Sequence, residues 1–285
     1  MTLRLDVPRE QALDRAAEIV AEAWRSFDQA RPTEPPIDDP LRLLLAAALP
    51  ESPTGALEVL EDARRALDET IAQTRPRYFA FVGGSGLEIG VLGDLLASCF
   101  DANLAVWAAA ASEIEDQAIR WVAEFLGFPA AAGAFTSGGT VSNMTALAAA
   151  RERAIPGSRH RGLGSASTTL YCSQEAHYSI VRAAELLGIG SANVRALPID
   201  ENRRLVPEAV EDAIRADRAA GRVPIAVVAT AGTTLTGAVD PIGALADVCT
   251  EAGVWLHVDG AYGLPAATTP SAGHQIGRAS CRERV

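Results

Sequence analysis

The sequence predicts an α/β fold, a mainly parallel sheet flanked by helices and preceded by an N-terminal helical arm. Three observations predict it. From about residue 133, short apolar runs alternate with amphipathic stretches of helix length, the rhythm of repeated βαβ units. Pro207 and Pro241 fall at the starts of two such stretches, where a helix tolerates proline. With 285 residues, 48% of them hydrophobic, the chain is long enough to bury a large core.

The elements follow in order. Ala12, Ala16, Ile19, Val20, Ala23, Trp24 and Phe27 recur at helical spacing with acids and arginines between them. Pro32, Pro35, Pro36 and Pro40 interrupt this pattern, and a second helical stretch runs over Thr54–Ala72. Residues 1–75 are therefore read as an arm. A glycine-rich turn (Gly83, Gly84, Gly86) leads to helices over Leu87–Cys99 and Ser112–Leu126. Strands are expected at Gly133–Thr136, Thr168–Cys172, Asn193–Leu197, Ile225–Thr230 and Val254–Val258. Helices are expected at Thr140–Ala154, His177–Leu187, Pro207–Ala220 and Pro241–Ala252. Residues 76–275 form one large domain on this reading, without internal repeats. Residues 276–285 (IGRASCRERV) do not fit it. They read as an in-frame translation of a short-read sequencing adapter, so a non-native tail on a truncated reading frame is expected.

Composition narrows the function. The net charge of −11 argues against a nucleic-acid or anionic-membrane partner, either of which needs clustered basic residues. No apolar run approaches the roughly 18 residues that span a bilayer, and the first residues lack a signal-peptide core. Cys99, Cys172, Cys249 and Cys281 form no C-x-x-C pair, which suits reduced thiols in a cytoplasmic protein. All 25 basic residues are arginine, so chemistry that needs a lysine amine is excluded within this chain.

Four segments carry candidate chemistry. Phe135–Asn143 (FTSGGTVSN) passes from strand to helix. Gly138 and Gly139 allow close approach to an anion, the free N–H groups of the helix start face it, and Ser137 and Thr140 add hydroxyls. An ordinary capped helix after a tight turn would look the same. Leu256–Gly263 (LHVDGAYG) puts Asp259 at the C-terminal end of a strand, where open α/β sheets bind ligands. A carboxylate there suits a cationic ring nitrogen or caps the next turn, and His257 lacks the third ligand of a metal site. Tyr171–Tyr178 (YCSQEAHY) offers His177 as a ring-stacking or acid–base residue, or a structural histidine at a helix start. Thr230–Thr234 (TAGTT) brings further hydroxyls at a strand end, or a polar turn. G-x-S-x-G, H-E-x-x-H and the P-loop signature are absent. Together the four strand ends form a rim suited to a phosphorylated, planar, nitrogen-containing cofactor.

In these segments, and in RPRYFAFV (Arg75–Val82), YCSQEAHYSI-x-RAAELLG (Tyr171–Gly188), ATAGTT-x-TGA-x-DPI (Ala229–Ile242) and WLHVDGAYG (Trp255–Gly263), the chain resembles the group II pyridoxal-phosphate-dependent amino-acid decarboxylases. The resemblance runs from about residue 10 to 275. It implies the large domain of the fold type I pyridoxal 5'-phosphate (PLP) enzymes, an L-amino acid as substrate, release of CO₂ and an amine, and a homodimer. It implies cofactor binding by Ser137, Gly138, Gly139, Thr140, His177, Thr233, Thr234, Asp259 and Ala261, with His177 and Asp259 also catalytic and no metal. In this reading Gly139 and Thr140 hold the phosphate, His177 stacks on the ring, Ala261 packs beneath it, and Asp259 keeps the ring nitrogen protonated so that the ring accepts electrons from the departing carboxyl bond. The Gly83–Gly86 turn matches a stretch lining the substrate pocket, without the proline usual there.

The family holds its cofactor through a lysine some tens of residues beyond the H-V-D segment. Without it, the chain is expected to have little or no activity of its own. The family's sheet order also puts Gly133–Thr136 beside a later strand that this sequence does not encode, which would leave the segment unpaired. A desulfurase-like or aminotransferase-like PLP enzyme and a non-catalytic fragment are the competing readings.

Overall fold

The computed structural model describes residues 4–30, 37–128 and 132–269. The chain divides into two compact units, Met1–Asp101 and Ala102–Val285.

The first unit is helical, with α1 (Arg9–Phe27), α2 (Asp39–Leu45), α3 (Ala56–Asp68) and α4 (Glu88–Phe100). Pro40, read from the sequence as a breaker, lies instead in the first turn of α2, where its missing N–H is no loss. Asp38 caps that helix by accepting the Leu41 N–H at 2.8 Å, and Arg65 of α3 pairs with the same carboxylate. Arg75 donates to the Ser26 carbonyl at 2.6 Å near the end of α1, and its guanidinium lies over Phe27. The other three prolines of that break lie outside the described residues.

The second unit holds α5 (Ala110–Phe125), α6 (Gly139–Ala154), α7 (Ser158–Arg161), β1 (Thr168–Ser173), α8 (Ser179–Leu186), β2 (Val194–Leu197), α9 (Pro207–Ala219), β3 (Val223–Thr230), α10 (Ile242–Ala252) and β4 (Trp255–Asp259). All four strands run parallel in the order β2-β1-β3-β4. The winding reverses between β1 and β3, which opens a crevice at their C-terminal ends. Strand alternation sorts the core into two layers. Leu170 and Cys172 of β1 and Val228 of β3 meet Leu147 and Ala150 of α6 and Ile180 and Ala183 of α8 on one face. Tyr171, Val227 and Leu256 meet Val210 and Ile214 of α9 and Leu245 and Cys249 of α10 on the other. The buried Tyr171 hydroxyl meets Thr169 at 2.8 Å and donates to Asp217 at 2.9 Å. Arg195 pairs with that carboxylate at 2.8 Å and holds it below the usual carboxylate range.

The βαβ reading therefore holds from Thr168 onward, with two corrections. Gly133–Thr136 makes no ladder hydrogen bonds and is not a strand, since no neighbouring strand is present for it among the described residues. The helix expected from His177 starts at Ser179, because His177 is used in the turn that leads into it. Among the described residues no helix is long and apolar enough to cross a membrane.

Candidate functional site

The candidate site gathers at the C-terminal edge of the sheet, around Asn143 in the second turn of α6. Asn143, Leu147 and Ala150 form the buried stripe of that helix, so an amide faces the sheet where an apolar residue would be usual. Its Nδ2 donates to Asp259 Oδ2 at 2.9 Å and to Ser179 Oγ at 2.9 Å. Its Oδ1 lies 2.7 Å from His257 Nε2. Ser179 Oγ in turn lies 2.8 Å from His177 Nδ1, and the Ser179 backbone N–H donates to the same nitrogen at 3.3 Å. One amide thus joins β4, α6 and the turn ahead of α8, and links Asp259 to His177 through Ser179.

Asp259 is buried at the end of β4, and its Oδ1 also accepts the Ala261 N–H at 3.2 Å. His257 precedes it by two residues and shares its face of the strand. Burial pushes the His257 imidazole below its ordinary pKa, and the Asp259 carboxylate only partly offsets this.

The start of α6 completes this side of the site. Gly138 has φ +146, a conformation that favours glycine, and no side chain caps the helix. Thr136 Oγ1 shapes the turn through Ser142 Oγ at 2.6 Å and the Gly138 carbonyl at 3.1 Å. A methyl placed on Gly139 would lie 3.7 Å from Cβ of Ala261, so the helix start and the segment after β4 face each other.

Two glycines seat the loop after β3 on that same segment. Gly232 has φ +93, and a Cβ there would come within 2.9 Å of Gly263 Cα. Gly263 donates to the Ala231 carbonyl at 2.9 Å. The buried carboxylate of Asp240 closes the loop by accepting the Leu205 and Thr230 N–H groups, each at 2.7 Å. Burial raises its pKa despite those two donors. The Thr233 hydroxyl meets Thr236 at 2.8 Å and accepts the Ala238 N–H at 3.2 Å, while Thr234 is exposed. Thr230 Oγ1 is buried without a hydrogen-bond partner among the described residues, and Thr230 is paired in register with Asp259.

Of the residues singled out from the sequence, Asp259 bonds Ala261 directly, His177 is linked to Asp259 through Ser179 and Asn143, and Gly139 faces Ala261. Gly138 and Thr140 flank Gly139, and Ser137 is exposed one residue earlier. Thr233 and Thr234 reach the same edge on the adjoining loop. Asn143, Ser179 and Asp240 were given no role from sequence, although all lie inside the quoted motifs. The one available signal was an asparagine on the apolar stripe of α6.

A parallel sheet with a switch point, an uncapped helix start and a buried strand-end carboxylate define an α/β protein whose C-terminal edge carries the features with which such sheets hold ligands. The profile of the pyridoxal-dependent decarboxylase conserved domain matches residues 39–279, and the chain belongs to that family. It is 37% identical over 243 residues to an aromatic-L-amino-acid decarboxylase of Bacillus atrophaeus, covering 84% of this chain and 49% of that protein. It is 35% identical over 227 residues to a human cysteine sulfinic acid decarboxylase, covering 78% and 46%. Among solved structures, mouse CSAD superposes with a TM-score of 0.83 at 29% identity, covering 95% of this chain and 59% of that one. The chain spans about half the length of the curated relatives it matches. Family membership favours the decarboxylase reading over the desulfurase-like and aminotransferase-like ones.

Proposed function

We propose that this chain forms the cofactor-binding part of a PLP-dependent decarboxylase that converts an L-amino acid into its amine and CO₂. The observation that carries the reading is the Asn143 hub, which ties Asp259 to His177 beside an uncapped helix start. The donor set fits a phosphorylated pyridine. A buried acceptor suits a cationic ring nitrogen, free helix N–H groups suit a phosphate, and the unpaired Thr230 hydroxyl marks a polar position beside Asp259 still to be satisfied.

Asp259 would hold the proton on the ring nitrogen. The Gly138–Thr140 backbone and the Ser137 and Thr140 hydroxyls would take the phosphate. His177 would cover the ring and supply a proton, Ala261 would pack against it, and Thr233 and Thr234 would border it. When bound, the cofactor supplies the electron sink for the bond to the departing carboxyl group. Covalent attachment would need a lysine, and the chain has none. We also infer a cytoplasmic homodimer as the working form. The homodimer follows the family resemblance, and cysteines that form no C-x-x-C pair support the compartment. Our domain plan is an arm over 1–75, a partial large domain over 76–275 and a non-native tail over 276–285.

PLP titration followed by cofactor absorbance tests the site. The wild type is expected to bind reversibly, to yield no lysine adduct on borohydride reduction, and to lose binding in Asp259→Ala. Equal binding by wild type and Asp259→Ala, or none by the wild type, would reject the site. A gene completed from genomic DNA, assayed for CO₂ release from a panel of L-amino acids, tests the activity and identifies the substrate.

A further inference from the structure

The polarity of the Asn143 network carries information beyond its connectivity. Its direction can be read from groups whose roles are not free. A backbone N–H can only donate, and the Ser179 N–H points at His177 Nδ1 at 3.3 Å. His177 Nδ1 is therefore an acceptor. The Asn143 amide is set by its surroundings as well. Turned the other way, its oxygen would face the Asp259 carboxylate, putting two acceptors in contact. As placed, Nδ2 donates to both Asp259 and Ser179 Oγ. Ser179 Oγ then receives from Asn143, so its own proton is free to go to His177 Nδ1 at 2.8 Å. The chain of donors runs from Asn143 through Ser179 into His177.

We propose that Asn143 and Ser179 are positioning residues that fix the His177 tautomer with its proton on Nε2, so that the ring meets its ligand as an N–H hydrogen-bond donor. The same amide orders the second histidine. Asn143 Oδ1 accepts from His257 Nε2, which puts that neutral ring's proton on Nε2 as well. Asn143 thus sets both imidazoles while holding the Asp259 carboxylate with a hydrogen bond. The catalytic meaning of the Nε2–H of His177 rests on the cofactor site proposed above. The tautomer itself does not.

The chain has four histidines, His160, His177, His257 and His274, which makes the test tractable by long-range ¹H–¹⁵N correlation on the ¹⁵N-labelled full chain. At about pH 9, above the ordinary histidine pKa of about 6.5, neutral rings report their tautomer directly. His177→Gln assigns the resonances by loss of one set. In the wild type, His177 is expected to show an unprotonated Nδ1 and a protonated Nε2. Ser179→Ala removes the stronger donor, and the two ¹⁵N shifts of His177 should converge. Asn143→Asp should do the same, because the new carboxylate draws the Ser179 hydroxyl away, and it should also move the His257 shifts. Ser179→Thr keeps the hydroxyl and should restore the wild-type pattern. Far-UV circular dichroism checks that each variant is folded. If Ser179→Ala does not fold, the wild-type and Ser179→Thr spectra still decide. A His177 protonated on Nδ1 in the wild type, or shifts unmoved in folded Ser179→Ala, overturns the proposal. PLP titration of the same samples separates the two claims. An Nε2–H His177 in a chain that ignores PLP leaves the relay standing and removes the cofactor site. PLP binding with an Nδ1–H ring removes the relay alone.

Discussion

Replacing Asp240 tests how the loop after β3 is held against the site. Its carboxylate is 1% exposed and accepts two backbone N–H groups at 2.7 Å, from Leu205 and Thr230. In Asp240→Ala both donors stay buried without partners, at about 1–3 kcal/mol each. The buried carboxylate itself carries a desolvation penalty, visible in its raised pKa, and the substitution relieves it. The net loss should be roughly 2–4 kcal/mol at neutral pH. Urea unfolding followed by far-UV circular dichroism measures it. The pH dependence gives a second check. The folded pKa of Asp240 lies above its unfolded value of about 3.9, so the folded state binds the proton more tightly. Its contribution is full below about pH 4 and is lost as pH rises through the folded pKa. Asp240→Asn cannot titrate, so the stability gap between wild type and Asp240→Asn should narrow with rising pH. A gap that widens with pH, or an Asp240→Ala variant within about 0.5 kcal/mol of wild type, would refute this account.

Gly232→Ala should cost about 3 kcal/mol or more, because φ +93 strains any side chain and the new Cβ would meet the Gly263 backbone at 2.9 Å. Thermal melts of the two proteins check it, and the same variant should weaken PLP binding. Asp217 titrates with the opposite sign to Asp240. Arg195 lowers its folded pKa, so its stabilisation is present above about pH 4 and is lost as pH falls through that lowered value. Asp217→Asn should flatten this acid limb in denaturant titrations at stepped pH. Burial pushes the Cys172 thiol up to about 12, whereas Cys99 is exposed. Iodoacetamide at pH 8 should therefore label Cys99 in the native chain and Cys172 only after denaturation, as read by peptide mass spectrometry.

Much of the second unit was legible in the sequence because its signals are local. The runs over Thr168–Cys172 and Ile225–Thr230 are apolar and β-branched, and each is followed by an amphipathic stretch of helical period. Strand alternation then sends Leu170 and Cys172 to one layer and Tyr171 to the other. Gly133–Thr136 has the composition of a strand but is left unpaired, as expected, and a strand exists only where a neighbour pairs with it. His177 was absorbed into a helix by periodicity, but its ring nitrogen takes the Ser179 N–H, and the helix begins after it.

The order of strands and helices, the glycine-bearing turns and the cluster of chemistry at the strand ends were all set by the residue order, since each depends on neighbours a few positions apart. Which groups share one hydrogen-bond network was decided only on folding. Asn143 lies 116 residues from Asp259 and 36 from Ser179, and no local pattern marks a bond across such separations. Likewise the Thr233 hydroxyl turned to Thr236 and the Thr230 hydroxyl was left unpaired, outcomes that depend on how the loop after β3 packs on Gly263 and on where Asp240 is buried.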